Sequence, residues 1–189
     1  MRDIRLRWAL EEAGLAYDVE LIDAERQKSE AYRAWQPFAQ VPAYRDDDVE
    51  LFESGAILLH LGGMSETLLP PDPAGQSRAS AWFFAALNSI EPHAQNYIHM
   101  RAAGDSHLKA AITDKLYTRL RQLSDALGNN DYLEGRFSVG DIAMTTVLRE
   151  AAAEGALAEF TNLVAYVDRN EARPAFQKAL SDQLADFGR

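Results

Sequence analysis

The sequence predicts an α/β first part followed by an all-helical second part, and three observations carry that prediction. Short runs near residues 17–21, 42–45 and 49–52 read as strands set between helical segments. Beyond residue 75 the apolar residues recur at three- and four-residue spacing, and no strand signal competes with helix. Between the two regimes lies Leu69-Pro70-Pro71-Asp72-Pro73-Ala74-Gly75, the strongest linker signal in the chain. The expected division is a first domain at 1–66, a Pro-rich linker at 67–75 and a helical domain at 76–189.

Taken in order, Ile4, Leu6, Trp8, Ala9, Leu10 and Ala13 have helical spacing, and Gly14 is a natural C-terminal stop. Tyr17, Val19 and Leu21 alternate with Asp18 and Glu20, the pattern of a half-buried strand. Ser29 to Trp35 reads as a short helix closed by Pro37. Pro42 to Arg45 and Val49 to Phe52 are two short strands joined by a turn at Asp46, Asp47 and Asp48. Ser54 to Leu61 follows as an apolar helix ended by Gly62-Gly63.

In the second half, Trp82, Phe83, Ala86, Leu87, Ile90 and Ala94 form one helical stripe, which Pro92 should kink rather than end. Leu108, Ile112, Leu116, Leu120, Leu123 and Leu127 form another. Phe137-Ser-Val-Gly-Asp-Ile142 is a helix-start signature. Ser138 can cap the amide of Asp141, whose carboxylate can reach back to the amide of Ser138, and Phe137 can staple to Ile142. Ser138 and Asp141 are therefore a structural cap rather than an acid. Asn162 opens a further helix, and Arg173-Pro174-Ala-Phe176 opens the last.

Composition narrows the function classes. A net charge of -10 over 189 residues argues against nucleic-acid binding, which needs clustered Lys and Arg. The longest apolar runs fall short of a membrane span, and the first residues lack the apolar core of a signal peptide. Cysteine is absent, which removes disulfides, thiolate metal sites and a cysteine nucleophile and suits a reducing cytoplasm. The three aspartates at 46–48 read as a solvated turn rather than a cation site. His60, His93, His99 and His107 lack paired ligand spacing, so no metal is expected.

One stretch speaks about chemistry. Gln40-Val41-Pro42 opens one strand, and Glu53-Ser54 ends the next at the start of an apolar helix. A proline-bounded strand edge beside a helix N-terminus can hold an extended, anionic peptide. Combined with Arg7-Trp8-Ala9-Leu10-Glu11-Glu12, Ser138-Val-Gly-Asp141-Ile142-Ala143 and the run from Asn162-Leu163 to Arg173-Pro174-Ala175-Phe176, the sequence resembles the cytosolic glutathione transferases. The resemblance implies a thioredoxin-like first domain and a helical second domain, with glutathione as co-substrate between them. It implies a cis Val41–Pro42 bond and strand-like pairing of the Val41 backbone with the cysteinyl unit. Glu53 would take the γ-glutamyl ammonium, and Ser54 with the helix amides the γ-glutamyl carboxylate. Gln40 would reach the glycine carboxylate. Asn96, Tyr97 and Met100 lie on the helix that lines the electrophile pocket in this family; an ordinary amphipathic helix accounts for them equally well.

The sequence departs from the family at the front. The strand before the first helix, and the loop carrying the Ser, Tyr or Cys that activates the thiol, have no counterpart here, so the catalytic residue is unknown. A start set too far downstream, another segment or chain filling the gap, or a defective domain would account for this; a missing upstream segment is the expectation. The resemblance further implies a cytoplasmic homodimer that conjugates the glutathione thiolate to small hydrophobic electrophiles. The alternative is a non-catalytic glutathione-binding, ligand-binding or regulatory protein on the same scaffold.

Overall fold

The first helix is buried on nearly every side over residues 4–10, Arg5 and Arg7 included, and the packing of the N-terminal part follows from that. In the computed structural model, which describes residues 2–103 and 107–187, α1 spans Asp3–Ala13 and buries Ile4, Leu6, Trp8, Ala9 and Leu10. Gly14 ends it in the left-handed conformation that glycine adopts without steric cost, its amide meeting the Leu10 and Glu11 carbonyls. A short helix α2 (Glu30–Trp35) follows, with the Ser29 hydroxyl accepting the Tyr32 amide at 3.2 Å. Strands β1 (Ala43–Arg45) and β2 (Glu50–Phe52) then pair antiparallel and lead into α3 (Ser54–Gly63). Ile57, Leu58 and Leu61 of α3 are fully buried, and α3 packs on α1.

The segment at 17–22 corrects the sequence expectation. Residues 15–23 are not a strand: among the described residues the sheet consists of β1 and β2, so the alternating segment has no ladder partner. Val19 and Leu21 are exposed, and Tyr17 instead donates its hydroxyl to Glu11 at 3.0 Å.

Helices α4 (Pro73–Ala85), α5 (Glu91–Ala103), α6 (Lys109–Leu127), α7 (Val139–Ala153) and α8 (Thr161–Glu171) make up a second unit, Leu69–Arg173. The linker is shorter than expected. Pro73 begins α4 where a missing N–H costs nothing, and Asp72 caps the Gly75 amide at 2.7 Å. Pro92 does not end the helical stripe: a π-helical turn, Ala86–Ile90, joins α4 to α5 just before it. The wider turn accommodates a ring that would otherwise meet the preceding turn's carbonyl.

The last helix, α9 (Pro174–Phe187), departs from the expected division. It packs on α1 and belongs with residues 1–68 rather than with the helices before it. Phe176 meets Trp8 edge-on at 4.9 Å between ring centroids, and Arg7 pairs with Asp186 at 2.8 Å. The fully buried Trp8 thus claims α9 for the first unit, a long-range preference that local periodicity does not report.

Within the second unit α7 is the most buried element, and its start shows why. Asp141 accepts the Ser138 amide at 3.0 Å, completing the expected capping box, and also the Leu133 amide at 3.0 Å and the Tyr166 hydroxyl at 2.8 Å. Burial pushes its carboxyl up, against the downward pull of these donors. Asp141→Ala should therefore cost about 3 kcal/mol or more, because three buried donors lose their acceptor, and Tyr166→Phe about 1 kcal/mol. Urea denaturation followed by circular dichroism checks both; a loss well under 1 kcal/mol for Asp141→Ala would count against this network as the anchor of α7.

Candidate functional site

The register of the hairpin brings the two halves of the predicted site to one end. Ala43 pairs with Phe52, Tyr44 with Leu51 and Arg45 with Glu50, so Pro42 and Glu53 stand immediately beyond the last pair. The Val41–Pro42 bond is cis, and Val41 is 44% exposed. The loop before it is tied down by neighbouring polar groups. Gln36 accepts the Phe38 amide on its side chain at 2.8 Å and the Ala39 amide on its carbonyl at 3.0 Å. Tyr32 donates its hydroxyl to the Gln40 carbonyl at 2.6 Å, which leaves the exposed Gln40 with a fixed backbone.

Glu53 sits at the strand-to-helix junction with φ 68°, a conformation that few residues other than glycine adopt. Its carboxylate makes no capping hydrogen bond to α3. Glu53 therefore does not serve as a side-chain cap, and a strained residue at an element boundary is a marker of function. Ser54 begins α3 at 5% exposure. The ladder starts with the Ile57 amide on the Glu53 carbonyl at 3.1 Å, so the amides of Ser54, Gly55 and Ala56 precede the helical bonds. An exposed strand edge and a donor-rich helix start thus share the open end of one hairpin.

The closed end holds a cluster that sequence reasoning missed. Asp46 Oδ1 accepts the Asp48 and Val49 amides at 2.9 and 2.8 Å, which builds the turn. Asp46 Oδ2 accepts the Tyr44 hydroxyl at 2.9 Å and lies 3.1 Å from His60 Nε2 on α3. The His60 contact, followed by the two amides, holds the Asp46 carboxyl well below the usual carboxylate range. Burial and then the hydrogen bond to Asp46 push the Tyr44 hydroxyl up to about 12. No spacing rule links residues 46 and 60, because their meeting depends on how α3 folds back on the hairpin.

The remaining predicted residues are distributed differently. Tyr97 and Met100 share the buried face of α5, each 6% exposed, whereas Asn96 lies on the exposed side. Tyr97 lies 6.4 Å from Tyr117 between ring centroids, and Tyr117 lies 5.9 Å from Phe160. Ser138 and Asp141 come together at the α7 cap. A surface cleft of about 680 Å³ that was not foreseen runs between α1, residues 15–21 and α9. Its walls carry Arg7 paired with Asp186, and Lys178 paired with Glu11 and Asp182 at 2.9 and 2.6 Å. Among the described residues no three acidic or histidine side chains are grouped to hold a metal ion, and no helix is long and apolar enough to cross a membrane.

Residues 1–63 match the family model described as the glutathione S-transferase N-terminal domain. Glutathione S-transferase 3 of Zea mays is 29% identical over 195 residues, covering 94% of this chain and 88% of the relative. Among solved structures, a glutathione transferase family member from Pseudomonas fluorescens, with two glutathione bound, superposes with TM-score 0.86 at 23% identity. That match covers 95% of this chain and 88% of the other. A glutathione transferase from Burkholderia graminis, also with two glutathione molecules per subunit, gives 0.83 at 24% identity over 95% and 83% of the two chains.

The Asp46 cluster makes a pH prediction. Because the folded carboxyl ionises more readily than the unfolded one, its contribution is present above the ordinary 3.8 and is lost as pH falls below it. Asp46→Asn keeps an acceptor for both turn amides but removes this titration. Urea unfolding at about pH 5 and about pH 3 should show a smaller acid loss in the variant than in the wild type. Equal losses would mean that Asp46 gains nothing from His60.

Proposed function

We propose that this chain, whose residues 1–63 match the glutathione S-transferase N-terminal domain, acts as a member of that family and binds glutathione at the open end of the β1–β2 hairpin. There it conjugates the glutathione thiolate to small hydrophobic electrophiles. The observation that carries this reading is the combination at residues 41–54. An exposed Val41 edge, an uncapping Glu53 in a strained conformation and a helix start with unladdered amides all meet there.

Each group has a task set by its chemistry. The Val41 amide and carbonyl pair strand-like with the cysteinyl unit, which aligns the tripeptide without reading its side chain. The Ser54 hydroxyl and the first α3 amides receive the γ-glutamyl carboxylate, and the helix dipole adds about 0.3–1 kcal/mol. Glu53, free of capping duty, faces the γ-glutamyl ammonium. Gln40 reaches the glycine carboxylate from a loop whose backbone Tyr32 holds. Of the three α5 residues expected at the electrophile, Tyr97 and Met100 are buried and Asn96 lies on the exposed side, so Asn96 is the proposed direct contact and the other two shape the helix behind it.

The reaction needs the thiolate, since a thiol with pKa near 8.5 is only a few per cent ionised at neutral pH. Lowering that pKa by two units takes ~2.7 kcal/mol of preferential thiolate stabilisation. The thiolate then displaces a leaving group such as chloride from an activated carbon, forming the C–S bond as the C–Cl bond breaks. The same reading makes the protein a cytoplasmic homodimer.

Glutathione-affinity retention together with a chloronitrobenzene conjugation assay tests the proposal. Wild type should be retained and should turn over, and Glu53→Ala and Ser54→Ala should each weaken glutathione binding about tenfold or more, the loss expected for a charge-assisted hydrogen bond. Retention without turnover identifies a binding protein instead. Wild-type binding by both variants removes the site assignment.

A further inference from the structure

The hairpin is attached to α3 at both ends. At the open end the join is covalent, from Phe52 through Glu53 to Ser54. At the closed end it is polar, through Asp46 Oδ2 and His60 Nε2 at 3.1 Å. The lengths match: six residue steps from Ser54 to His60 rise about 9 Å along the helix. Three steps back from Phe52 to Val49 cover about 10 Å of strand. Helix α3 therefore runs back beside β2 to reach the turn, in contact with both strands. The angle between helix and hairpin is set by one joint beside the candidate site and one contact about 10 Å away from it.

That contact is built to hold. Asp46 cannot swing freely, because its other oxygen is bonded to the Asp48 and Val49 amides and Tyr44 donates to the oxygen that meets His60. The Tyr44 ring also packs against the His60 ring, with centroids 5.7 Å apart. Neutral His60 can donate its Nε2–H to the carboxylate, and protonated His60 donates the same hydrogen with an added charge, so the tie persists in both forms. On the helix side, the neighbouring Ile57, Leu58 and Leu61 bury α3 independently of His60. Removing the imidazole therefore loosens the far joint without emptying the core.

We propose that Asp46 and His60 are a positioning pair that holds the hairpin turn on α3 and so aims the α3 N-terminal amides at the Val41 edge, which sets the affinity for the γ-glutamyl end of glutathione. The affinity part rests on the glutathione reading above. The coupling between the turn and the helix start does not.

The test uses the full chain, with glutathione as the probe. His60→Ala should raise the glutathione Kd and KM about threefold to tenfold with kcat little changed, the range expected for the loss of one hydrogen bond. Exchange of the Ile57 amide, read by nuclear magnetic resonance, should quicken by a similar factor while the amides of Leu58 and Leu61 keep their protection. His60→Gln, which restores a donor of similar reach, should recover both. Asp47→Asn, which removes a charge from the same turn but no contact to His60, should change neither. The pair is not a positioning device if His60→Ala leaves Ile57 exchange and glutathione affinity unchanged, or if Asp47→Asn has the same effect. Uniformly faster exchange along α3 would show a merely structural role. A wild-type chain that binds no glutathione overturns the ligand reading and the affinity clause, while Ile57 exchange still decides whether the turn and the helix start are coupled.

Discussion

The pairing of Ala43 with Phe52 is the contact on which the candidate site depends. It converts eleven residues of sequence separation, from Pro42 to Glu53, into immediate adjacency. One more or one fewer residue in the turn would shift the register and send Val41 and Ser54 to mismatched positions. The short ladder is held by the Asp46 turn at one end and by the buried α3 at the other. A three-residue pair of strands would be marginal alone. Here it borrows its stability from the helix core behind it.

The proposed site would work against the charge of the whole molecule. With a net charge of -10, the chain repels anions at long range, and the proposed ligand carries two carboxylates. Salt screens that repulsion beyond about 8–10 Å, whereas the helix amides act at contact distance. Local dipoles therefore decide the outcome, which is why oriented backbone groups rather than a basic patch mark the site.

Much of this was legible in the sequence because it is local. The aspartate turn, the start of α3 at Ser54 and the Ser138–Asp141 box each lie within a few residues of one another and took the form their residues predict, and the Val41–Pro42 bond is cis, as the resemblance implies. The misreadings share the opposite property. Tyr17 to Leu21 carries strand alternation, but whether it becomes a strand depends on a neighbour, which no residue of the run encodes. Helix α9 looked like a continuation of the helices before it, yet the Trp8–Phe176 contact assigns it to the first unit. His60 carries no ligand spacing in the sequence, and only the fold of α3 back on the hairpin sets it against Asp46. The donors from Leu133 and Tyr166 that complete the Asp141 network were likewise beyond reach, one in a preceding loop and one a helix away.

If Glu53 holds glutathione as proposed, its backbone sets stability and binding against each other. At φ 68° a glycine would be more comfortable by about 1–3 kcal/mol, so the fold alone favours losing this side chain. A variant library screened only for heat tolerance would be drawn toward glycine at this position and would discard the carboxylate with it. Breeding a hardier version of this protein would then quietly blunt it, unless ligand capture is selected in the same round.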